Sequence, residues 1–333
     1  MKILILGGTH FIGKQIVRLC EEAGHTVGVF TRGNRMPADM APHLHIQGDR
    51  SNLEDLKRAA QTEDWDAVID NLAFGPTDVA LALQAFGNVG HYVLNSSVAV
   101  YRFIPDAYPS PYRGETVDYN AKPANEDPHD IHWKYARGKL LAEKTCVSQE
   151  EVPWTILRPP VVYGPEDPTQ RGYWYLARLL KGGPLLLADS GVQSFQIAYS
   201  LDVAQAFLQV IENRKKTVGK AYFLAQKEIL TLRDFVEESA HALGIVPDWI
   251  DVPAKLLREK GGPYADMVNL IFDTRPAQDD FDFSPTPWPE FARTTAQWFR
   301  DHWQGADEEL LASRDEELKF ATLWKSLLQV PWL

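Results

Sequence analysis

The sequence predicts an α/β fold, a doubly wound parallel sheet with a smaller, mostly helical C-terminal domain, and three observations carry that expectation. Short apolar, β-rich runs alternate with amphipathic stretches through the first third of the chain. Strands that alternate with helices imply a parallel sheet covered on both faces and joined by right-handed crossovers. The opening stretch KILILGGTHFIG (Lys2–Gly13) places glycines at the joint between an apolar run and an amphipathic one. After WTILRPPVVYGP (Trp154–Pro165) the rhythm changes to helices and Pro-rich turns.

Ile3–Leu6 reads as a buried strand, and Lys14–Ala23 as a helix through the spacing of Ile16, Val17, Leu19 and Cys20. Val27–Phe30 is the second strand, and a helix follows from about Leu53 to Gln61. Ala67–Ile69 is a third strand, Val79–Phe86 a helix, and Tyr92–Leu94 a fourth strand. Residues 102–130, rich in Pro, Asp, Asn and Tyr, read as a long surface loop of the kind that forms lids or binding elements. A helix resumes near Trp133 and runs to Val147, and Trp154–Pro165 gives a strand with a Pro-bounded exit. Tyr173–Leu180 and Asp202–Glu212 have helical spacing, and Lys220–Leu224 reads as a strand.

Composition narrows the function classes. The 333 residues are 45% apolar and 24% charged, close to an average globular chain. A formal charge of -11 opposes nucleic-acid binding, which rests on basic surface. Cys20 and Cys146 stand alone in helical stretches and fit a reducing, cytoplasmic compartment. Lys2 and four apolar residues are too few for a signal-peptide core, and no run approaches the roughly 18 residues of a membrane span.

The glycine corner looks like a dinucleotide cradle formed by Gly7, Thr9, His10, Phe11, Ile12 and Gly13. Gly7 permits a sharp exit from the strand, Gly13 lets the helix lie close, and the helix N-terminus offers N–H groups to phosphate. The middle position, normally glycine, is His10, whose imidazole can donate to a phosphate oxygen. The second strand leads into Thr31-Arg32 with no acid for a ribose 2′-hydroxyl, and Arg32 suits a 2′-phosphate. The cofactor expected is therefore NADP, with NAD the alternative.

KYARGKLLAEK places Tyr135 and Lys139 on one helix face. A nearby ammonium favours the phenolate and makes Tyr135 a general acid/base. Ser96 and Ser97 follow a sheet strand at the end where open α/β sheets bind ligands. A hydroxyl there either orients a substrate oxygen or caps a turn.

In GGTHFIG, GDR (Gly48–Arg50), SSVAVY, YARGK, LRPPVVYGP and SLDVAQAF the chain resembles the extended short-chain dehydrogenases/reductases, the NAD(P)-dependent epimerase/dehydratase family. The resemblance implies Ser97, Tyr135 and Lys139 as catalytic residues, and Asp49 and Arg50 beside the adenine. It implies Asn71, Leu72 and Ala73 along the cofactor, and Pro159 and Val162 at the nicotinamide. The activity implied is hydride transfer at a carbinol or carbonyl carbon of a small, sugar-like substrate. GGTHFIG, FTRG and GDR are most similar to an atypical branch with the chloroplast stem-loop-binding proteins. A catalytically silent NADP-binding or RNA-binding relative is thus the alternative reading. Val161, Phe195 and Tyr199 stand where sugar-nucleotide enzymes often carry Asn, Arg and His, which argues against a nucleotide-sugar clamp.

The dinucleotide domain is expected over 1–165, with 195–225 returning to it, and the substrate domain over 166–194 and 226–333. Glu126, Asp127, His129, Asp130 and His132 read as solvated loop surface, and no metal is expected. His43 and His45 share one side of an extended segment near an edge. Trp133, Tyr173, Trp174 and Tyr175 are either a pocket floor or core. The tail from Asp307 has an apolar side of Leu310, Leu311, Leu318, Ala321, Leu323, Trp324 and Leu327, which packs internally or joins a homodimer.

Overall fold

The computed structural model describes residues 1–33, 36–40, 42–103, 111–113, 117–120, 127, 129–257, 262–264, 271–305 and 309–329. In chain order its elements begin with β1 (Lys2–Leu6), α1 (Phe11–Glu22), β2 (Thr26–Thr31), β3 (Leu44–Gln47), α2 (Leu53–Ala60) and β4 (Ala67–Asp70). Next come α3 (Pro76–Ala85), β5 (Tyr92–Asn95), a 3-10 turn (Val98–Phe103), α4 (Ile131–Val147), β6 (Trp154–Arg158) and β7 (Val161–Tyr163). Then follow α5 (Arg171–Lys181), β8 (Leu185–Ala188), β9 (Ser194–Phe195), β10 (Ile197–Tyr199), α6 (Ser200–Glu212), α7 (Arg214–Thr217) and β11 (Lys220–Phe223). The chain closes with β12 (Leu230–Thr231), α8 (Leu232–Leu243), β13 (Trp249–Val252), α9 (Ala254–Leu257), α10 (Arg275–Phe281), α11 (Trp288–His302) and α12 (Arg314–Leu328).

The first unit comprises Met1–Val162, Ile197–Ala225 and Phe272–Pro285. Its seven-stranded sheet runs β11-β6-β5-β4-β1-β2-β3, with every pairing parallel. Alternate residues of β1 serve two cores, as the period of a strand requires. Ile3 and Ile5 pack with Ile16, Val17 and Cys20 of α1 and with Val203, Phe207 and Val210 of α6. Leu4 and Leu6 face Leu56 of α2, Val79 and Ala82 of α3, and Ala142 and Cys146 of α4. The strand order reverses between β1 and β4, the topological switch where such sheets leave a crevice beyond the strands' carboxyl ends. This is the doubly wound architecture that the sequence predicts.

The extended segment holding His43 and His45 contains β3 and lies at the sheet edge, as expected. Other segments differ from expectation. The loop expected from 102 begins later, because the 3-10 turn runs to Phe103, and much of its remainder lies outside the described residues. Helix α4 starts at Ile131, where the Asp130 carboxylate accepts the His132 N–H. Residues 272–285 belong to the first unit: Ala277 and Phe281 of α10 enter the α1/α6 core, and Asp280 accepts from Tyr222 at 2.6 Å.

The second unit comprises Tyr163–Gln196, Gln226–Ile271 and Thr286–Leu333. Its α8 packs on α11, and β8 pairs with β13 in parallel. Tyr173 and Tyr175 are core residues, against Phe299 and Tyr264 respectively, and Trp174 lies under the Arg178 guanidinium. Arg178 is buried with Glu317 of α12, their closest atoms 2.6 Å apart. On α12, Ala321 is buried while Leu323, Leu327 and Leu328 are exposed. Among the described residues no helix is long and apolar enough to cross a membrane. Both cysteines are free and buried, and burial raises both thiols, Cys20 to about 12.

His91 is buried at the foot of β5, its Nε2 2.8 Å from Thr155 Oγ1. Burial, and secondarily the Arg214 charge, lower its pKa from 6.5 to about 4. The unfolded chain therefore takes up a proton below pH 6.5 that the folded chain refuses until about pH 4. Stability is expected to fall through that window as pH drops. In urea titrations the stability advantage of wild type over His91→Asn should shrink by about 2–3 kcal/mol between pH 7 and pH 4.5. A constant difference would show that His91 is protonated in the fold.

Candidate active site

The corner after β1 is shaped by absent side chains. Gly7 has φ +88, and a Cβ there would lie 2.3 Å from Leu72 Cγ. A Cβ on Gly13 would lie 2.3 Å from the Gly7 carbonyl oxygen, so α1 begins directly against the turn. Thr9 is partly buried and His10 exposed. His10 is the N-cap in extended backbone (φ -149, ψ 146), a conformation that does not ask for glycine. The left-handed residue is its neighbour Phe11 (φ 47), whose ring is buried, while Ile12 packs partly into the core. The His10 side chain makes no cap hydrogen bond and the first turn of α1 carries no acid, so no side-chain charge in that turn opposes an anion. A dinucleotide pyrophosphate fits this turn.

Beyond β2, Thr31 Oγ1 accepts the Gly33 N–H and lies 2.9 Å from His45 Nε2, so this hydroxyl is held internally. Arg32 is exposed. Asp49 is exposed as well, and its carboxyl is lowered chiefly by hydrogen bonds from Ser51, with the Arg32 charge adding to them. Arg32 and Asp49 thus lie close enough for their charges to interact, both open to solvent. Arg50, which the resemblance implies beside the adenine, is engaged inside the fold. Its guanidinium turns inward onto Asp70 in a bidentate pair at 2.7 and 3.1 Å, and it also donates to the Asp78 carbonyl. A fully buried carboxylate at the end of β4 needs a cation, and Arg50 supplies it. The Tyr92 hydroxyl and the Leu72 N–H also donate to Asp70.

A polar chain crosses the carboxyl ends of the central strands. Asn71 Nδ2 donates to the Gly7 carbonyl at 3.2 Å, and Asn95 Nδ2 donates to Asn71 Oδ1 at 2.7 Å. Lys139 Nζ donates to the carbonyls of Asn95 at 2.7 Å and Ala73 at 2.8 Å. The glycine corner and the α4 lysine are therefore linked through hydrogen-bonded groups.

Tyr135, Lys139 and Glu143 recur every four residues on α4 and so share a face. Lys139 is buried, with Nζ 5.7 Å from the Tyr135 ring centroid, while Tyr135 is 37% exposed. Burial lowers the lysine to about 8 against the opposing pull of Asp70 and Glu143. Glu143 is buried with Arg158, and the Ser96 hydroxyl donates to it as well. Ser97 opens the 3-10 turn that packs on α4. Its Oγ accepts the Ala99 N–H at 3.2 Å, which leaves its O–H as a donor. Pro159 is buried and its carbonyl accepts the Val98 N–H, while Val162 packs partly against the α1/α6 core. Phe195 is fully buried against Tyr264, a packing residue of the second unit.

The sequence reading passed over Asp70, Phe74, Asn95 and Glu143. Glu143 was within reach, since it repeats the spacing that joins Tyr135 to Lys139. A cleft of about 390 Å³ along β6 and β11, lined by Tyr119, Trp154, Tyr222 and Phe223, contains none of the three catalytic candidates. Among the described residues no group of three or more His, Cys, Asp and Glu could hold a metal ion.

A parallel sheet with a glycine corner at its switch point, and a Tyr-Lys pair beyond β4 and β5, defines a dinucleotide-binding α/β protein of the reductase and epimerase type. Residues 3–225 match the NAD dependent epimerase/dehydratase family, and the chain belongs to it. It is 31% identical over 227 residues to the chloroplast stem-loop binding protein of 41 kDa b of Arabidopsis thaliana. That match covers 64% of this chain and 56% of the plant protein's length. To the 2'-dehydrokanamycin reductase of Streptomyces kanamyceticus it is 27% identical, over 78% of this chain and 72% of the other. The crystal structure of UDP-glucuronic acid 4-epimerase from Bacillus cereus in complex with NAD shares the fold. It superposes at TM-score 0.69 with 18% identity, covering 90% of this chain and 99% of that one.

Arg50→Ala should leave the Asp70 carboxylate buried without its cation. The expected loss is about 3–5 kcal/mol in chemical denaturation, and Asp70→Asn in the same background should recover part of it. A loss under about 1 kcal/mol would mean that water already reaches Asp70.

Proposed function

We propose that this chain is an NADP-dependent oxidoreductase acting at a carbinol or carbonyl carbon of a small substrate. The observation that carries the reading is the face of α4, where a buried ammonium seated on two backbone carbonyls stands beside a solvent-reached phenol. The nicotinamide, when bound, supplies the hydride donor or acceptor.

In the reducing direction the Ser97 O–H donates to the substrate carbonyl oxygen and Tyr135 gives that oxygen its proton as the carbinol forms. The Lys139 ammonium offsets the phenolate charge left behind, and the same groups run in reverse for oxidation. Phosphate contacts fall to the first turn of α1, with His10 at its mouth, and Arg32 takes a 2′-phosphate. Hydride returned to the other face of the same carbon gives net epimerisation, and hydride retained gives reduction. The names of the Streptomyces reductase and the Bacillus epimerase correspond to these two outcomes.

The plant relative's name suggests a second reading, binding of an RNA stem-loop. The -11 charge opposes it, and no tight gel shift with a stem-loop RNA is expected at physiological salt.

Tyr135→Phe should lower turnover of a carbonyl substrate by about a hundredfold or more. Unchanged turnover would remove the phenol from the mechanism. NADPH should bind at least about tenfold tighter than NADH, and Arg32→Ala should abolish the difference. Equal affinities in wild type would refute the role given to Arg32.

The ammonium also sets an alkaline limit. Around Lys139 stand Asp70, Asp78 and Arg50 from the β4 side, and Glu143 from its own helix. With a pKa of about 8, its charge is present below that value and is lost above it. Turnover measured across pH 6–10 is therefore expected to decline above about pH 8, and a flat profile to pH 10 would contradict the assignment.

A further inference from the structure

Phe74 is 55% exposed, and it belongs to neither core of the first unit. A single exposed apolar residue needs no explanation. Phe74 differs in being held on a pinned backbone. The N–H groups of Phe74 and Gly75 donate to Asp78 Oδ2 at 2.8 and 3.1 Å, and Asp78 is itself held by Arg50. The preceding carbonyl, of Ala73, accepts the Lys139 ammonium. On the far side, a Cβ at Gly138 would stand 2.2 Å from the Phe74 carbonyl oxygen. Helix α4 therefore comes closer to this loop than any residue but glycine allows, which explains Gly138 immediately before Lys139.

The ring is held in place as well. Lys139 Nζ lies 5.0 Å from its centroid, within the range of a cation–π contact. The Tyr135 ring lies 6.3 Å away at an interplanar angle of 54°. Two aromatic rings, both open to solvent, thus meet at the phenol that carries the proton.

We propose that Phe74 is a specificity-determining residue: with Tyr135 it forms an aromatic wall beside the reacting oxygen. That wall selects substrates whose carbonyl or carbinol carbon bears an aryl or alkyl face over polyhydroxylated ones. The inference rests on the oxidoreductase reading of this site. An apolar substrate face recovers the burial that the exposed ring lacks, whereas a hydroxyl laid against it loses its water and gains no partner.

The test is calorimetric titration of 4-phenyl-2-butanone and of dihydroxyacetone into the full chain, with and without NADP+. The phenyl ketone is expected to bind at least about tenfold tighter. Phe74→Ala should weaken it about tenfold or more, and Phe74→Leu, which keeps an apolar surface, should hold it within about threefold of wild type. NADP+ affinity should change by less than about threefold in either variant. No preference between the probes, a Leu variant as weak as Ala, or an equal loss for NADP+ would each overturn the proposal, the last because the ring would then serve the cofactor. Phenyl ketone bound with no turnover would fail the oxidoreductase reading and leave the wall standing. Dihydroxyacetone reduced with no affinity for the phenyl ketone would do the reverse.

Discussion

Removing an ammonium from water is expensive, and everything near the proposed chemistry is organised around having done so at Lys139. The compensation comes from fixed backbone: two carbonyls, one from the last residue of β5 and one three residues past β4, face the same point. They can do so because β4 and β5 are neighbours in register, which carries their carboxyl ends to one level. Disturbing either strand end would release the lysine, and with it the electrostatic reason for a phenol to ionise there.

Two buried carboxylates extend this arrangement in opposite directions. Asp70 ends β4 and is neutralised by Arg50, while Glu143 lies one helical turn past the lysine and is neutralised by Arg158 at the end of β6. Each pair ties a strand terminus to a segment distant in sequence. Both acids favour the charged form of Lys139, and Arg50, besides neutralising Asp70, works against it. Arg50 connects further to Asp78 and through it to the loop that presents Phe74. Scaffold and reactive surface are here a single hydrogen-bonded body.

What the sequence disclosed follows from how local each feature is. The β1–α1–β2 unit was legible because its alternation and its glycines lie within thirty residues. Tyr135 and Lys139 were legible because helical spacing alone unites them. Arg50 with Asp70 was not, since a side chain's partner twenty residues away leaves no periodic trace. Phe74 was hidden for a related reason: its importance depends on Gly138, and a glycine inside a helix reads as a weakness until the carbonyl facing it is known. The return of 272–285 to the first unit likewise rests on Phe281 and Asp280 finding β11, a long-range match without a motif. That position 10 needs no glycine was not legible either, since only the backbone shows His10 extended and Phe11 left-handed.

The two thiols have a bearing on how such a protein meets its surroundings. Cys20 and Cys146 are sealed in opposite cores and held protonated far above neutrality, and a protonated, enclosed sulfur is a poor target for peroxides or for exchange with glutathione. A chain built this way keeps its own sulfur atoms apart from the exchange when its surroundings turn oxidising.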